Sequence, residues 1–71
     1  MNSEEIMCEV ENLLRAYYRE FPRGYTDKVG ADYDRGQAQW ARICKTASQL
    51  NDEGEYIRIV EDSLRTEGYQ L

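Results

Sequence analysis

The residue types that could support catalysis are sparse in this sequence of 71 residues. It contains no histidine, so the usual general base and the commonest zinc ligand are both missing. Its two cysteines, Cys8 and Cys44, are far apart and form no Cys-x-x-Cys pair. We therefore predict two free thiols in a reducing, cytoplasmic compartment, and no catalytic residue.

The acidic residues at the start of the central third of the chain are spaced almost like a calcium loop. In such a loop that began at Asp32, Gly36 would fall too early and Ile43 would stand where a glutamate is needed. No glycine-rich phosphate loop precedes a predicted helix. The sequence therefore predicts no metal ligand, no cofactor and no enzymatic activity.

Apolar residues recur at helical spacing in three segments, and no segment alternates as a strand would. The apolar stripe of the first segment occupies an arc of about 100°, as expected for a helix that faces a core. The predicted core residues are Ile6, Val10, Leu13, Leu14, Tyr17 and Phe21 in the first segment, Gly36, Trp40, Ile43, Ala47 and Leu50 with Tyr33 and Cys44 beside them in the second, and Tyr56, Ile57, Val60 and Leu64 in the third.

Polar residues and proline indicate where these helices begin and end. Asn2 or Ser3 is placed to cap the first helix, and Pro22 ends it. Asp32 or Asp34 is predicted to cap the second helix. The third opens with Asn51 or Asp52, where Asp52 and Glu55 have the spacing of a capping box, and it ends before Gly68. The sequence also predicts i,i+4 ion pairs between Glu11 and Arg15 and between Glu61 and Arg65.

These signals predict a single all-α domain over residues 1–71. The helices are expected at about 3–20, 33–50 and 53–67, as a small three-helix bundle. The loop between helices 1 and 2, at about 21–31, is long for a helical bundle. Tyr25 and Val29 are the residues expected to hold that loop against one end of the core.

The net charge of −5 is distributed unevenly along the chain. It is −3 over residues 1–20, zero over 21–35, +2 over 36–50 and −4 over 51–71. An acidic third helix would be repelled by phosphates, which argues against direct binding to nucleic acid. The mean hydropathy is −0.84, and no apolar run approaches the ~20 residues that cross a bilayer, so no membrane segment is predicted.

Six tyrosines in so short a chain are the compositional outlier. Tyrosine and arginine are enriched in binding hot spots, although a thin core can also recruit tyrosine to widen its rim. The predicted partner-binding residues are Tyr18, Arg19, Arg23, Tyr25 and Arg35 near the long loop, together with Glu55, Glu61 and Asp62 on the acidic third helix.

Small size, negative charge and missing catalytic chemistry favour a non-enzymatic protein-binding module. The specific hypothesis is a small inhibitor or regulator of a protein partner, of the accessory type that phages and mobile elements encode. Its acidic helices would stand in for nucleic acid against a basic groove. Two alternatives remain open, a self-associating structural protein that forms a homodimer and a nucleic-acid-binding regulator of the helix-turn-helix kind.

Overall fold

Three α-helices make up most of the protein in a computed structural model that describes residues 2–71. They are α1 (Ser3–Glu20), α2 (Gly30–Ala47) and α3 (Glu53–Glu67), and this part of the chain contains no strand. All three helices pack against one another. The predicted all-α three-helix bundle is therefore confirmed.

Helix α1 begins and ends as its sequence predicts. The side-chain oxygen of Asn2 accepts a hydrogen bond of 2.9 Å from the backbone N–H of Glu5, which satisfies one of the free amides of the first turn. At the other end, the backbone N–H of Phe21 donates to the Tyr17 carbonyl, and Pro22 follows directly.

Helix α2 begins and ends three residues earlier than predicted, so the loop before it spans only residues 21–29. Val29 is the N-cap residue and makes no side-chain cap hydrogen bond, and Asp32 lies in the first turn. The predicted cap at Asp32 or Asp34 was wrong, because a carboxylate is equally well placed inside the first turn, where it complements the helix dipole. Residues 48–50 form a turn after the helix.

Helix α3 has the predicted bounds, although the expected capping box does not form. Asp52 occupies the N-cap position but makes no side-chain cap hydrogen bond. At the C-terminus, Gly68 has φ of 108° and donates its N–H to the carbonyls of Arg65 and Leu64. This left-handed conformation favours glycine and ends the helix.

All nine buried core side chains of residues 2–71 are among the predicted apolar residues. The buried side chains are Ile6, Val10, Leu14, Tyr17 and Phe21 from α1 and its C-cap, Ile43 and Ala47 from α2, and Val60 and Leu64 from α3. Two predicted core contacts are wrong. Cys44 is exposed, because it lies at the edge of the α2 stripe. Val29 is 83 % exposed, whereas Tyr25 packs against the core.

Side-chain contacts define how the helices run. Arg35, near the start of α2, bonds to Glu20 at the end of α1, so these two helices are antiparallel. The hydroxyl of Tyr56, near the start of α3, donates a hydrogen bond of 2.9 Å to the carbonyl oxygen of Met7, near the start of α1. Helices α1 and α3 are therefore parallel, and they begin at the same end of the bundle.

Candidate protein-binding site

Tyr18, the first of the predicted partner-binding residues, is half-buried between α1 and α3. Its hydroxyl donates to a carboxylate oxygen of Glu61. Burial raises the pKa of the Tyr18 hydroxyl well above its ordinary value, and the adjacent Glu61 carboxylate raises it further. The predicted pair between Glu61 and Arg65 does not form, since Arg65 instead bonds to Asp62 at 2.7 Å.

Arg19 and Arg23 lie where the C-terminal tail returns to the end of α1. The Arg19 guanidinium donates to the Tyr69 hydroxyl at 3.4 Å. The backbone N–H of Arg23 donates to the Gln70 carbonyl at 3.1 Å, and Arg23 has φ of 71°, which non-glycine residues rarely adopt. The tail is thus bound to the loop by a backbone hydrogen bond, and Arg23 itself is exposed.

Tyr25 and Arg35 lie on the side of α1 that faces α2. The backbone N–H of Tyr25 donates 3.1 Å to the Tyr17 hydroxyl, and its ring lies against Gly36. The Arg35 guanidinium lies 5.4 Å from the centroid of the Phe21 ring and bonds to Glu20 and to Asp32. Both residues therefore brace the junction between loop and α2.

The eight predicted residues consequently fall into separate places. Tyr18 and Glu61 bind each other across α1 and α3, and Asp62 is paired with Arg65 on α3. Glu55 is exposed in the first turn of α3. Most of these side chains therefore have partners within the protein, whereas Arg23 and Glu55 are exposed.

A cluster of aromatic rings around Tyr17, in the last turn of α1, was not predicted as a unit. The Tyr17 ring lies 4.9 Å from Tyr18 and 5.3 Å from Trp40, measured between centroids. It also lies 5.6 Å from Phe21 and 6.5 Å from Tyr25. The helical stripe of α1 predicted that Tyr17 is buried, but nothing in the sequence indicated which rings would meet it.

A bidentate ion pair between α1 and α3 was also missed. The two terminal nitrogens of Arg15 donate to the two carboxylate oxygens of Glu67 at 2.8 and 2.9 Å, and its Nε donates to Glu11 at 3.1 Å. These bonds lower the pKa of Glu67 below its ordinary value. The pairing of Arg15 with Glu11 was predicted from their spacing and is confirmed.

Unpaired carboxylates are concentrated at the end where α1 and α3 begin. We call this surface the acidic end, and its residues are Glu4, Glu5, Glu9, Asp52, Glu53 and Glu55. None of them pairs with an arginine or lysine anywhere in residues 2–71. The antiparallel α2 brings Lys45, in its last turn, to the same end. At the opposite end Arg15 and Arg35 neutralise their acidic neighbours, so the two ends differ in charge.

The concave surfaces of the molecule are shallow. One depression on the outer face of α1 is lined by Asn2, Glu4, Glu5, Cys8, Glu9 and Asn12. A groove between α1 and α2 is lined by Leu13, Ala16, Glu20, Gln39 and Arg42. Across residues 2–71, no three acidic or cysteine side chains come together in a way that could hold a metal ion.

Both cysteines are free and exposed. Although the Cys44 residue as a whole is exposed, its thiol is partly desolvated, which raises the pKa of that thiol above its ordinary value, and the nearby Glu53 carboxylate adds to the effect. The thiolate, which is the nucleophile, is therefore disfavoured at Cys44. From Asn2 to Leu71, no helix has the length and apolar character needed to cross a membrane.

Compared with known proteins, the chain matches no family model, no curated protein and no solved structure.

Proposed function

We propose that this protein acts without catalysis, by binding a protein partner through its acidic end. The observation that carries the proposal is the separation of charge. Six carboxylates are left without an arginine or lysine partner at the end where α1 and α3 begin, whereas at the opposite end ion pairs join α1 to α3 and α1 to α2. Unneutralised carboxylates of one sign create a surface potential that attracts and orients a basic partner.

The partner that fits such a surface has a basic groove of the kind that binds nucleic acid. The parallel starts of α1 and α3 hold two rows of carboxylates on rigid helices, and a groove lined with arginine and lysine would accept them in place of phosphates. A small regulator or inhibitor that competes with nucleic acid would work in this way. The partner then has no access to its nucleic acid for as long as it is bound to the acidic end.

Two charge-reversed variants of the full chain test the proposal. One carries Glu5→Lys and Glu55→Lys at the acidic end, and the matched control carries Asp27→Lys and Asp34→Lys elsewhere on the exposed surface. Each variant changes the net charge by the same amount, and circular dichroism checks that both remain helical. Immobilised wild-type protein and both variants are then incubated with lysate of the source cell, with and without double-stranded DNA as competitor.

The proposal expects a partner that wild type and the control retain and the acidic-end variant loses. The loss should be about tenfold or more, because like charges brought together cost several kcal/mol. Added DNA should release that partner. Equal retention by all three proteins would overturn the proposal. A DNA mobility shift by the protein alone would favour the helix-turn-helix alternative, and a dimer in sedimentation that both reversals leave intact would favour self-association.

A further inference from the structure

The aromatic rings of the bundle form a connected path that leads to Tyr18. Tyr33 lies 5.2 Å from Tyr25, and Tyr25 lies 6.5 Å from Tyr17, between ring centroids. Trp40 lies 5.3 Å from Tyr17, which lies 4.9 Å from Tyr18. We call these five rings the aromatic relay. Electrons pass readily between aromatic rings in such proximity, because the rate of transfer falls steeply with distance.

The relay has partly exposed outer members and a buried centre. Tyr33, Tyr25 and Trp40 are half-buried, so each presents part of its ring to solvent. Tyr17 is only 2 % exposed and touches the other branches. An oxidant that removes an electron from Trp40 or Tyr33 is therefore connected to the interior through Tyr17.

The position where an electron vacancy settles depends on which hydroxyl can release its proton, since a phenol that loses an electron becomes a strong acid. The Tyr18 hydroxyl donates to the Glu61 carboxylate, which is a base with free lone pairs. The Tyr17 hydroxyl accepts a hydrogen bond from the backbone N–H of Tyr25, at 3.1 Å. An oxidised Tyr17 therefore has no carboxylate to take its proton and regains an electron from a neighbouring ring. The Tyr18 hydroxyl, in contrast, has a proton acceptor in place.

The two tyrosines outside the relay lack such an acceptor. The Tyr56 hydroxyl donates 2.9 Å to the backbone carbonyl of Met7, which is a far weaker base than a carboxylate. The Tyr69 hydroxyl accepts from the Arg19 guanidinium, whose positive charge opposes removal of an electron from that ring. Among the tyrosine hydroxyls of residues 2–71, Tyr18 alone donates to a carboxylate.

We propose that Tyr18 is the site at which one-electron oxidation of this protein comes to rest, with Glu61 accepting its phenolic proton. The external oxidant, a one-electron acceptor at the surface, takes one electron from Trp40 or Tyr33. The relay refills that vacancy, and the electron comes finally from the Tyr18 ring. The O–H bond of Tyr18 breaks as a new O–H bond forms on Glu61, which leaves a neutral phenoxyl radical, a neutral carboxylic acid and the reduced oxidant.

The hydrogen bond between α1 and α3 survives this step with its direction reversed. A protonated carboxyl is a donor, so the new O–H of Glu61 can donate to the phenoxyl oxygen of Tyr18. The radical is half-buried and keeps a donor on its oxygen, two conditions that slow its decay. This inference does not depend on the proposed binding function, because none of the relay residues belongs to the acidic end.

The experiment uses the full chain in a background where both exposed cysteines carry Cys8→Ser and Cys44→Ser, because thiols also react with oxidants. Tris(bipyridine)ruthenium(III), generated by light and persulfate, serves as the oxidant. Samples are frozen during illumination for electron paramagnetic resonance, and the oxidised positions are mapped by mass spectrometry of peptides. Circular dichroism before illumination checks that each variant is folded.

A tyrosyl radical signal is expected in the background protein and its loss is expected in Tyr18→Phe. Glu61→Gln keeps an acceptor for the Tyr18 hydroxyl but cannot take its proton, so the signal should again be lost in a protein that still folds. Tyr17→Phe should reduce the signal by interrupting the relay, whereas Tyr69→Phe, outside the relay, should leave it unchanged. An undiminished signal in Tyr18→Phe or Glu61→Gln, or oxidation that maps to Trp40 or Tyr33, would overturn the proposal.

Discussion

The loop packs closely against α2 at a single residue, Gly36. A Cβ atom at this position would lie 2.2 Å from the Cβ of Tyr25 and 2.9 Å from its Cγ. Gly36 was predicted as part of the core stripe of the second helix, and the group that packs against it is the side chain of Tyr25 from the loop. Because that contact involves the first side-chain atom of Tyr25, the loop itself must move to relieve it.

We therefore expect Gly36→Ala to lower the free energy of unfolding by about 1–3 kcal/mol, as overpacking does elsewhere. The matched control is Gly54→Ala on α3, where no atom lies within 4 Å of the added Cβ. Alanine is the better helix former, so the control should change stability by less than ~1 kcal/mol, in the stabilising direction. Urea titrations of both variants measure the difference, and equal midpoints would contradict the packing argument.

The buried tyrosine hydroxyls make stability sensitive to alkaline pH. Burial, followed by the Glu61 carboxylate, raises the pKa of Tyr18 above its ordinary value of 10.0. The unfolded chain then loses this proton at lower pH than the folded one, so the stability from neutral Tyr18 is present below pH 10 and is lost above it. Burial raises the pKa of Tyr17 and of Tyr56 in the same direction.

We expect Tyr18→Phe to lose less stability than wild type between pH 8 and pH 11, since it removes one of these groups. Tyr69→Phe is the control. The hydrogen bond from Arg19 lowers the pKa of Tyr69, so removing this hydroxyl should not reduce the loss of stability at high pH. Urea titrations at the two pH values measure the change for each protein. If Tyr18→Phe and wild type lose equal amounts, the hydroxyl of Tyr18 is not held neutral by the fold.

At the scale of the element, the three helices begin in physically different ways. The Asn2 side chain bonds to the first turn of α1 at 2.9 Å, whereas Asp52 occupies the equivalent position of α3 without a side-chain bond. We expect Asn2→Ala to cost about 1 kcal/mol of stability. Asp52→Ala should cost less, because it removes only a charge near the helix dipole, worth ~0.3–1 kcal/mol. Thermal unfolding of the two variants compares them, and the reverse order would contradict this difference in capping.

The elements were predictable to the extent that each one is encoded locally. The bounds of α1 and α3 follow from Asn2, Pro22 and Gly68, which act on their own backbone. The start of α2 was misplaced because an aspartate such as Asp32 suits both the cap and the first turn. The helix in fact begins at Gly30, directly after its N-cap Val29, and neither residue type is a strong indicator of a helix start.

At the scale of the whole molecule, the contacts between helices that position the candidate site could not be predicted from the sequence. Tyr18 and Glu61, or Arg15 and Glu67, meet only because α1 and α3 run parallel, and their separation along the chain hides the pairing. The net charge of each segment could be counted from the sequence. The sequence did not indicate which carboxylates would form ion pairs in the folded protein. The acidic end therefore emerged only when ion pairs could be assigned.

The ion pairs that tie the helices together should make the bundle sensitive to acid. Hydrogen bonds from Arg15 lower the pKa of Glu67, and those from Gln39 and Arg35 lower the pKa of Glu20, both below 4.5. A carboxylate whose pKa is lowered by folding stabilises the fold at any pH above the pKa that it has in the unfolded chain. That contribution is lost as the pH falls from about 4.5 through the lower folded value.

We expect Glu67→Gln to be less stable than wild type at pH 7, and the difference to shrink as the pH falls toward 2, where wild type has lost the same charge. Asp34→Asn is the control, since Asp34 makes no ion pair with a cation of residues 2–71. Urea titrations at pH 7, 4 and 2 give the free energies of unfolding. A gap between wild type and Glu67→Gln that persists at pH 2 would mean that Glu67 stabilises the bundle by packing. A gap that closes means that the charge bound to Arg15 holds α3 against α1.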